Sequence, residues 1–356
     1  MTKAALAATL LALGLAACGQ PAPKAAAPAL PAIETASITA ITETDPVGTA
    51  DDAADDPAIW RNAANPAASL IVATDKRAGL HVYDLAGKRL SFTPSPRLNN
   101  VDLRADVPIG GAPGILVIAS DRHDIANAMM AMFRLDPASK ALVSLGTLPA
   151  GPGEAYGMCL WQRAADKAVF AFVVLKDGRI DQFAIDASAT APKAVKVRSL
   201  KLATQSEGCV VDDRTGLLYV AEEDAGLWRF DAAPEAPGTA TAIAKVDKRI
   251  LFDDAEGLAI APQGADGGWL IASSQGDNAY VLYRLPDMAF AGRFRIMPGP
   301  VDGTSETDGI DFISGDFGPA YPGGLFVAQD GDNAPETQNF KLASWAAIKA
   351  ALKLGE

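Results

Sequence analysis

Short apolar runs that break off into charged or amide side chains recur six times along the chain. They run from Ile71 to Lys76, Val117 to Arg122, Phe172 to Asp177, Tyr219 to Asp224, Ile271 to Gly276 and Phe326 to Gly331, about 46 to 55 residues apart. Upstream of each, a carboxylate or a carboxylate-glycine pair opens a second apolar run: Asp55-Asp56, Asn100-Val101-Asp102, Glu154-Ala155-Tyr156-Gly157, Glu207-Gly208, Glu256-Gly257 and Asp308-Gly309. The interval from opener to breaker is roughly 15 to 22 residues, enough for a strand, a connection and a returning strand. Because the start of one hairpin strand and the end of the next share an end, the openers and breakers are expected to converge on one end of the molecule.

A third run follows each breaker and alternates apolar with polar residues, as in Leu80-His81-Val82-Tyr83, Met132-Phe133-Arg134-Leu135, Ile180-Asp181-Gln182-Phe183, Leu227-Trp228-Arg229-Phe230, Tyr280-Val281-Leu282-Tyr283 and Asn339-Phe340-Lys341-Leu342. Period-two alternation marks strands with two unlike faces. Three or four strands per unit of about 50 residues, repeated six times, suit a β-propeller or a β-solenoid. Solenoid coils are usually shorter and need a polar capping repeat, which neither end supplies. The reading is an all-β, six-bladed propeller over 38–356, with one short helix from Trp345 to about Leu354, capped by Ser344 and ended by Gly355.

The N-terminal segment breaks this pattern. Lys3 precedes a continuous small and apolar run, Ala4 to Ala17, too short to span a bilayer as a mature helix. It ends in Leu15-Ala16-Ala17-Cys18, which resembles the bacterial lipoprotein processing box. Residues 1–18 are therefore read as a secretion signal with Cys18 as the lipid-bearing residue, on an exported, outer-membrane-anchored protein of the periplasm or cell surface. Residues 19–37, with Pro21, Pro23, Pro28 and Pro31, read as a semi-extended tether. Cys159 and Cys209 lie in apolar strand-like contexts; both could pair in an oxidising periplasm, but two buried thiols are the favoured reading.

The chain's 356 residues are 49% hydrophobic, and its formal net charge is −12. Loss of the signal removes Lys3 and no carboxylate, making the remainder more acidic still. Such a chain lacks the excess of Lys and Arg that displaces counterions from a phosphate backbone, so nucleic acid is excluded as a partner. Only His81 and His123 offer imidazoles, and no cysteine pair has zinc-ligand spacing.

The converging residues include Asp55, Asp56, Asp102, Glu154, Glu207, Glu223, Asp254, Glu256, Asp308 and Asp330. So many carboxylates raise one another's pKa unless cations are bound among them. An all-oxygen donor set that includes the amides Asn100 and Gln275 suits calcium, which tolerates six to eight oxygens in irregular geometry, better than magnesium. Any single acidic opener is more often a turn former than a functional group, but six of the same sign at one repeat position are harder to dismiss; Glu43, Asp45 and Asp84 are read as solvated turn residues. Lys76, Arg122 and Lys176 come from successive repeats; beside metal ions they look like phosphate holders. There is no Arg-His-Gly nucleophile, no cysteine phosphatase loop, no Gly-x-Ser-x-Gly elbow and no Walker loop, which leaves metal-activated water as the nucleophile.

Asp55-Asp56-Pro57-Ala58-Ile59-Trp60, Asn99 to Arg104, Glu207-Gly208, Ala221 to Asp224, Ala272 to Gly276, Asp302 to Ser305, Thr307 to Asp311 and Phe326 to Gly331 together resemble the β-propeller phytases, from about Asp45 to Ser344-Trp345. The resemblance implies a phosphoric monoester hydrolase of the 3-phytase kind, acting as a monomer on calcium phytate with several structural and catalytic calcium ions. By matching motif, Lys76, Arg122, Tyr156 and Lys176 would hold phosphate. Glu207, Glu223, Asp254, Glu256, Gln275 and Asp308 would surround the catalytic ions, and Asp56 with the loop carrying Asp330, Asp332 and Asn333 would hold structural ones. Asp121 stands where this resemblance leads one to expect an amide. A lactonase or a non-catalytic, calcium-stabilised binding propeller would keep the carboxylates but has little use for three cations.

Overall fold

A computed structural model describes residues 1–2 and 33–355. The expected signal, Cys18 and most of the tether lie outside the described residues. Residues 33–355 form six sheets, each with an antiparallel core of consecutive strands, which is the six-bladed propeller that the repeats predict. The innermost strands are Ala54–Trp60, Leu98–Ile109, Ala155–Gln162, Ser206–Asp212, Ala255–Gln263 and Ile310–Ser314. Each is followed by a strand carrying the breaker motif. Leu70–Asp75, Val169–Leu175 and Gly324–Asp330 are buried at every position, being covered by a neighbouring blade on each side. Such two-sided burial suits continuously apolar runs, although the alternating third strands Gly79–Tyr83 and Asn339–Ser344 are fully buried as well, with His81 and Lys341 at polar positions.

The ring closes by borrowing from the N-terminal end. Thr42–Glu43 pairs antiparallel with Asn339–Ser344 as the outer strand of the sixth blade, and Ala36–Thr39 adds a parallel fifth strand to the fifth blade beside Ala289–Met297. Strand structure thus starts at Ala36 rather than Ile38. The helix covers Trp345–Leu352, two residues shorter than expected. It ends at Lys353, in the left-handed region, with the Leu354 N–H donating to the Lys349 carbonyl; Ser344 makes no side-chain cap. Trp345 and Ile348 dock it onto Trp269 and Phe312.

Cys159 and Cys209 are bonded to each other, contrary to the expectation of free thiols, with Cα atoms 5.7 Å apart. They occupy corresponding places on adjacent innermost strands, 50 residues apart in sequence, so the propeller repeat itself brings them together. Cross-linking a loop of that length stabilises by about 4 kcal/mol in the chain-entropy account. The Cys159→Ser/Cys209→Ser double variant is expected to melt ~6 °C lower by calorimetry. An unchanged melting temperature would mean the bond contributes nothing.

Candidate active site

The innermost strands of the first five blades share an irregularity that the apolar pattern does not reveal. Their register with the second strand shifts at Ala54/Pro57, Leu98/Val101, Ala155/Gly157, Ser206/Cys209 and Ala255/Leu258. Each shift falls on an opener: Asp55-Asp56, Asn99-Asn100, Tyr156, Glu207-Gly208 and Glu256-Gly257. An extra residue in a strand re-aims the side chains around it, and here it turns them toward one mouth of the central channel. The glycines beside these openers have a steric reason. A Cβ on Gly208 would lie 2.2 Å from the Glu256 carbonyl oxygen, and one on Gly157 1.9 Å from that of Glu207. Each opener's backbone is packed against the next blade's opener, so the side chain that follows has no room.

Carboxylate oxygens of Glu207, Glu223 and Glu256 all lie within 4.8 Å of one another, and all three residues are buried. Burial, then the neighbouring carboxylates Asp55 and Asp308, push Glu207 well above the usual carboxylate range. Burial followed by Glu207 and Glu223 does the same for Glu256. Glu223 is raised by burial and by Asp254, and Asp254 by burial and Asp224. Asp308 is pushed up to about 7 by burial and Asp55, against the pull of Lys76. Oε1 of Glu223, Oε2 of Glu256 and Oδ1 of Asp55 are buried and accept no hydrogen bond. Buried carboxylate oxygens without donors are costly, and three facing one mouth form a set of ligands in want of a cation.

Among the described residues, Lys76 is the one ammonium ion-paired within this group, 2.8 Å from Asp52 and 3.1 Å from both Asp55 and Asp308. Beside the cluster, Tyr156 has the Lys176 ammonium 4.6 Å and the Arg122 guanidinium 5.4 Å from its ring centre. Burial and the three glutamates hold its phenol far above the ordinary range, so it stays neutral. Arg122 contacts Glu154 at 3.3 Å, while its Nε is buried without a partner. Lys176 makes no ion pair among the described residues. Two cations flanking a neutral aromatic face, next to an acidic pocket, fit a ligand that brings both negative charge and bound metal.

The phytase family profile matches residues 1–356. A 3-phytase from Bacillus subtilis is 42% identical over 333 residues, which are 90% of this chain and 86% of that protein. The chain belongs to the phytase family. Among solved structures, a mitotic checkpoint complex aligns over 96% of this chain and 87% of its own with a TM-score of 0.48 and 14% identity, a likeness too weak to carry any argument.

In this phytase the expected site residues fall into three places. Asp55, Glu207, Glu223, Glu256 and Asp308 surround the mouth, joined by Asp254 and by Gln275, whose amide donates to Asp308 Oδ1 at 2.5 Å. The Asn100 amide matches its surroundings with its nitrogen toward Glu207 Oε1, at 2.9 Å, and toward the Tyr156 carbonyl. Asp56 and Asp102 do not join the cluster. Strand alternation sends them down the channel, where Asp56 Oδ2 accepts the Val101 N–H and Asp102 accepts the Leu160 N–H and pairs with Arg104. Asp213 and Asp311 accept N–H groups of Gln162 and Ile59 in the same way, around a cavity of about 400 Å³.

Asp330 and Asn333 form the third place. They surround the buried Lys341 ammonium, 3.1 Å from Asp330 and 3.2 Å from Asn333, together with Glu43, Asp302 and Asn339. The Lys341 ammonium is the cation this loop surrounds here, and exposed Asp332 accepts an N–H from Ala334 and donates its own to Asp330 Oδ1. Glu43, read from sequence as a solvated turn residue, lies 2.5 Å from Lys341 and ties the N-terminal strand into the sixth blade. Sequence reasoning also passed over Asp52, Asn99 and Gln205. Asp52 and Gln205 sit in connections that carry no repeat signal, and Asn99 was overshadowed by Asn100.

Proposed function

We propose that this chain hydrolyses the phosphomonoester bonds of phytate, releasing phosphate and lower inositol phosphates, and that it does so only with calcium in the mouth of the propeller. The observation that carries the reading is the set of buried, donorless oxygens of Asp55, Glu223 and Glu256 beside Lys76, Arg122 and Lys176. The donor set fits calcium: it is all oxygen, irregular, anionic and without imidazole or thiolate. Glu207, Glu223, Asp254, Glu256 and Asp308, with Asp55 and Gln275, would hold the ions. Bound calcium would reverse the local sign of charge and supply Lewis acidity toward phosphoryl oxygen and water. Lys76, Arg122 and Lys176 would hold phosphate beside Tyr156, and Lys76 also pairs with Asp55 and Asp308. Asp56, Asp102 and the Asp330–Asn333 loop are left to structural work, the loop around Lys341. The carboxylate mouth excludes a free polyanion and admits one that arrives with cations.

Chelator-stripped protein is expected to release no phosphate from phytate and to regain activity as calcium is added stepwise. Absence of activity at every calcium level would overturn the reading. Lys176→Met is expected to lower kcat/KM by about 10- to 100-fold, mostly through KM, as for a lost hydrogen bond to a charged group. Steady-state kinetics on phytate at saturating calcium checks it, and an unaltered KM would remove Lys176 from the substrate.

In the same reading the Cys18 sequence attaches a monomeric, exported protein to the outer membrane through lipid, with residues 19–37 as its tether. Among the described residues no helix is long and apolar enough to cross a membrane. Radiolabelled palmitate incorporation into wild type and Cys18→Ser tests the anchor.

A further inference from the structure

Two neutral amides reach the glutamates of the mouth from outside the set of expected ligands. Asn99, fully buried, donates from Nδ2 to Glu207 Oε1 at 2.6 Å. Gln205, half-buried in the connection before the fourth blade, donates from Nε2 to Glu223 Oε2 at 2.7 Å. In each case one carboxylate oxygen is held, and among the described residues the other accepts no protein hydrogen bond. For Glu223 that other oxygen, Oε1, is buried and donorless. The chemistry of the donor matters. A lysine or arginine here would fix the carboxylate but also neutralise it and compete with a metal ion, as Lys76 does for Asp55. An amide fixes orientation and leaves the full negative charge available.

We propose that Asn99 and Gln205 are positioning residues of the metal centre, which pin one oxygen each of Glu207 and Glu223 so that the remaining oxygens face the shared ion. The proposal rests on the reading that the cluster binds calcium. It implies that calcium affinity depends on two residues that need not touch the ion, and that substrate contacts do not depend on them.

Gln205→Met, at a half-buried position, removes the donor at nearly constant length and does not threaten the core. Calorimetric titration of chelator-stripped protein is expected to show calcium binding about 10- to 100-fold weaker at the affected site. The melting temperature in chelator should stay within ~1 °C of wild type, as for a surface substitution, and kcat should return at saturating calcium. Asn99→Ala should weaken calcium in the same direction but less, because Asn100 still donates to Glu207 Oε1, with a melting temperature recorded alongside because its site is fully buried. Calcium affinity unchanged in Gln205→Met overturns the proposal, whether or not the protein melts lower. Glu223→Gln, titrated in parallel, separates the two levels: if it binds calcium as wild type does, the calcium reading itself fails. If it loses binding while Gln205→Met keeps it, only the positioning role fails.

Discussion

Glu256→Gln is expected to lower kcat/KM for phytate by about three orders of magnitude, as removal of a principal charge-stabilising group does, without unfolding the protein. Glu256 is buried, its Oε2 has no donor, and the charges facing it are Glu207, Glu223, Asp308 and Asp55, all acidic. Among the described residues no hydrogen bond or ion pair rewards its ionised form, so a structural account gives it no role beyond a cost. The amide isostere keeps the shape and removes one repelling charge, and the chelated variant should melt at or above the wild-type temperature. The same substitution removes a ligand oxygen that calcium requires. Activity and stability are thus expected to move in opposite directions, which phosphate release and scanning calorimetry record on one preparation. A variant with more than about a tenth of wild-type activity, against the thousandfold loss expected for such a group, or one that melts well below wild type in chelator, would place Glu256 in the scaffold instead.

The second large effect is on stability against pH. Glu207, Glu256, Glu223 and Asp308 all have folded-state pKa values raised above their unfolded ones, Asp308 to about 7. Between about pH 4, where unfolded carboxylates titrate, and about pH 7, the folded chain binds more protons than the unfolded one. The slope of unfolding free energy with pH is therefore negative in that window. The stability these groups contribute is present on the acid side and lost as pH rises through the folded values. In chelator the melting temperature should fall from pH 5 to pH 7.5. Calcium, which binds the ionised folded form, should restore it, by ~4 °C per site at a hundredfold excess over Kd. The two curves should converge in acid and part above neutrality. A chelated curve that is flat or rising between pH 5 and pH 7 would contradict the raised values.

Most of the fold was legible because each repeat states it again: an opener, an apolar run, a polar breaker and an alternating run, six times over. The mouth was legible for a related reason, since a carboxylate at the same step of several blades must recur on one circle. What escaped lies between repeats or within a single residue step. Asp55 and Asp56 are adjacent in sequence, yet only the bulge at Ala54/Pro57 and strand alternation decide that one faces Lys76 and the other the channel. Asp102 follows the same rule one blade later. Glu43 could not be read locally, because its partner Lys341 lies 298 positions away and meets it only when the N-terminal strand closes the ring. The bond between Cys159 and Cys209 joins equivalent positions 50 residues apart, and only the stacking of adjacent blades brings two apolar strand positions together. Tyr156 came from resemblance alone. The structure adds the physical content: a neutral ring between Arg122 and Lys176.

Everything proposed for the mouth requires Glu207, Glu223 and Glu256 to enclose a metal ion. Diffraction from crystals soaked in calcium, recorded at a wavelength where calcium scatters anomalously, tests it most directly. Anomalous peaks are expected among these three carboxylates, with the donorless oxygens of Glu223 and Glu256 in ligand contact. Ordered side chains with no peak between them at saturating calcium would contradict it.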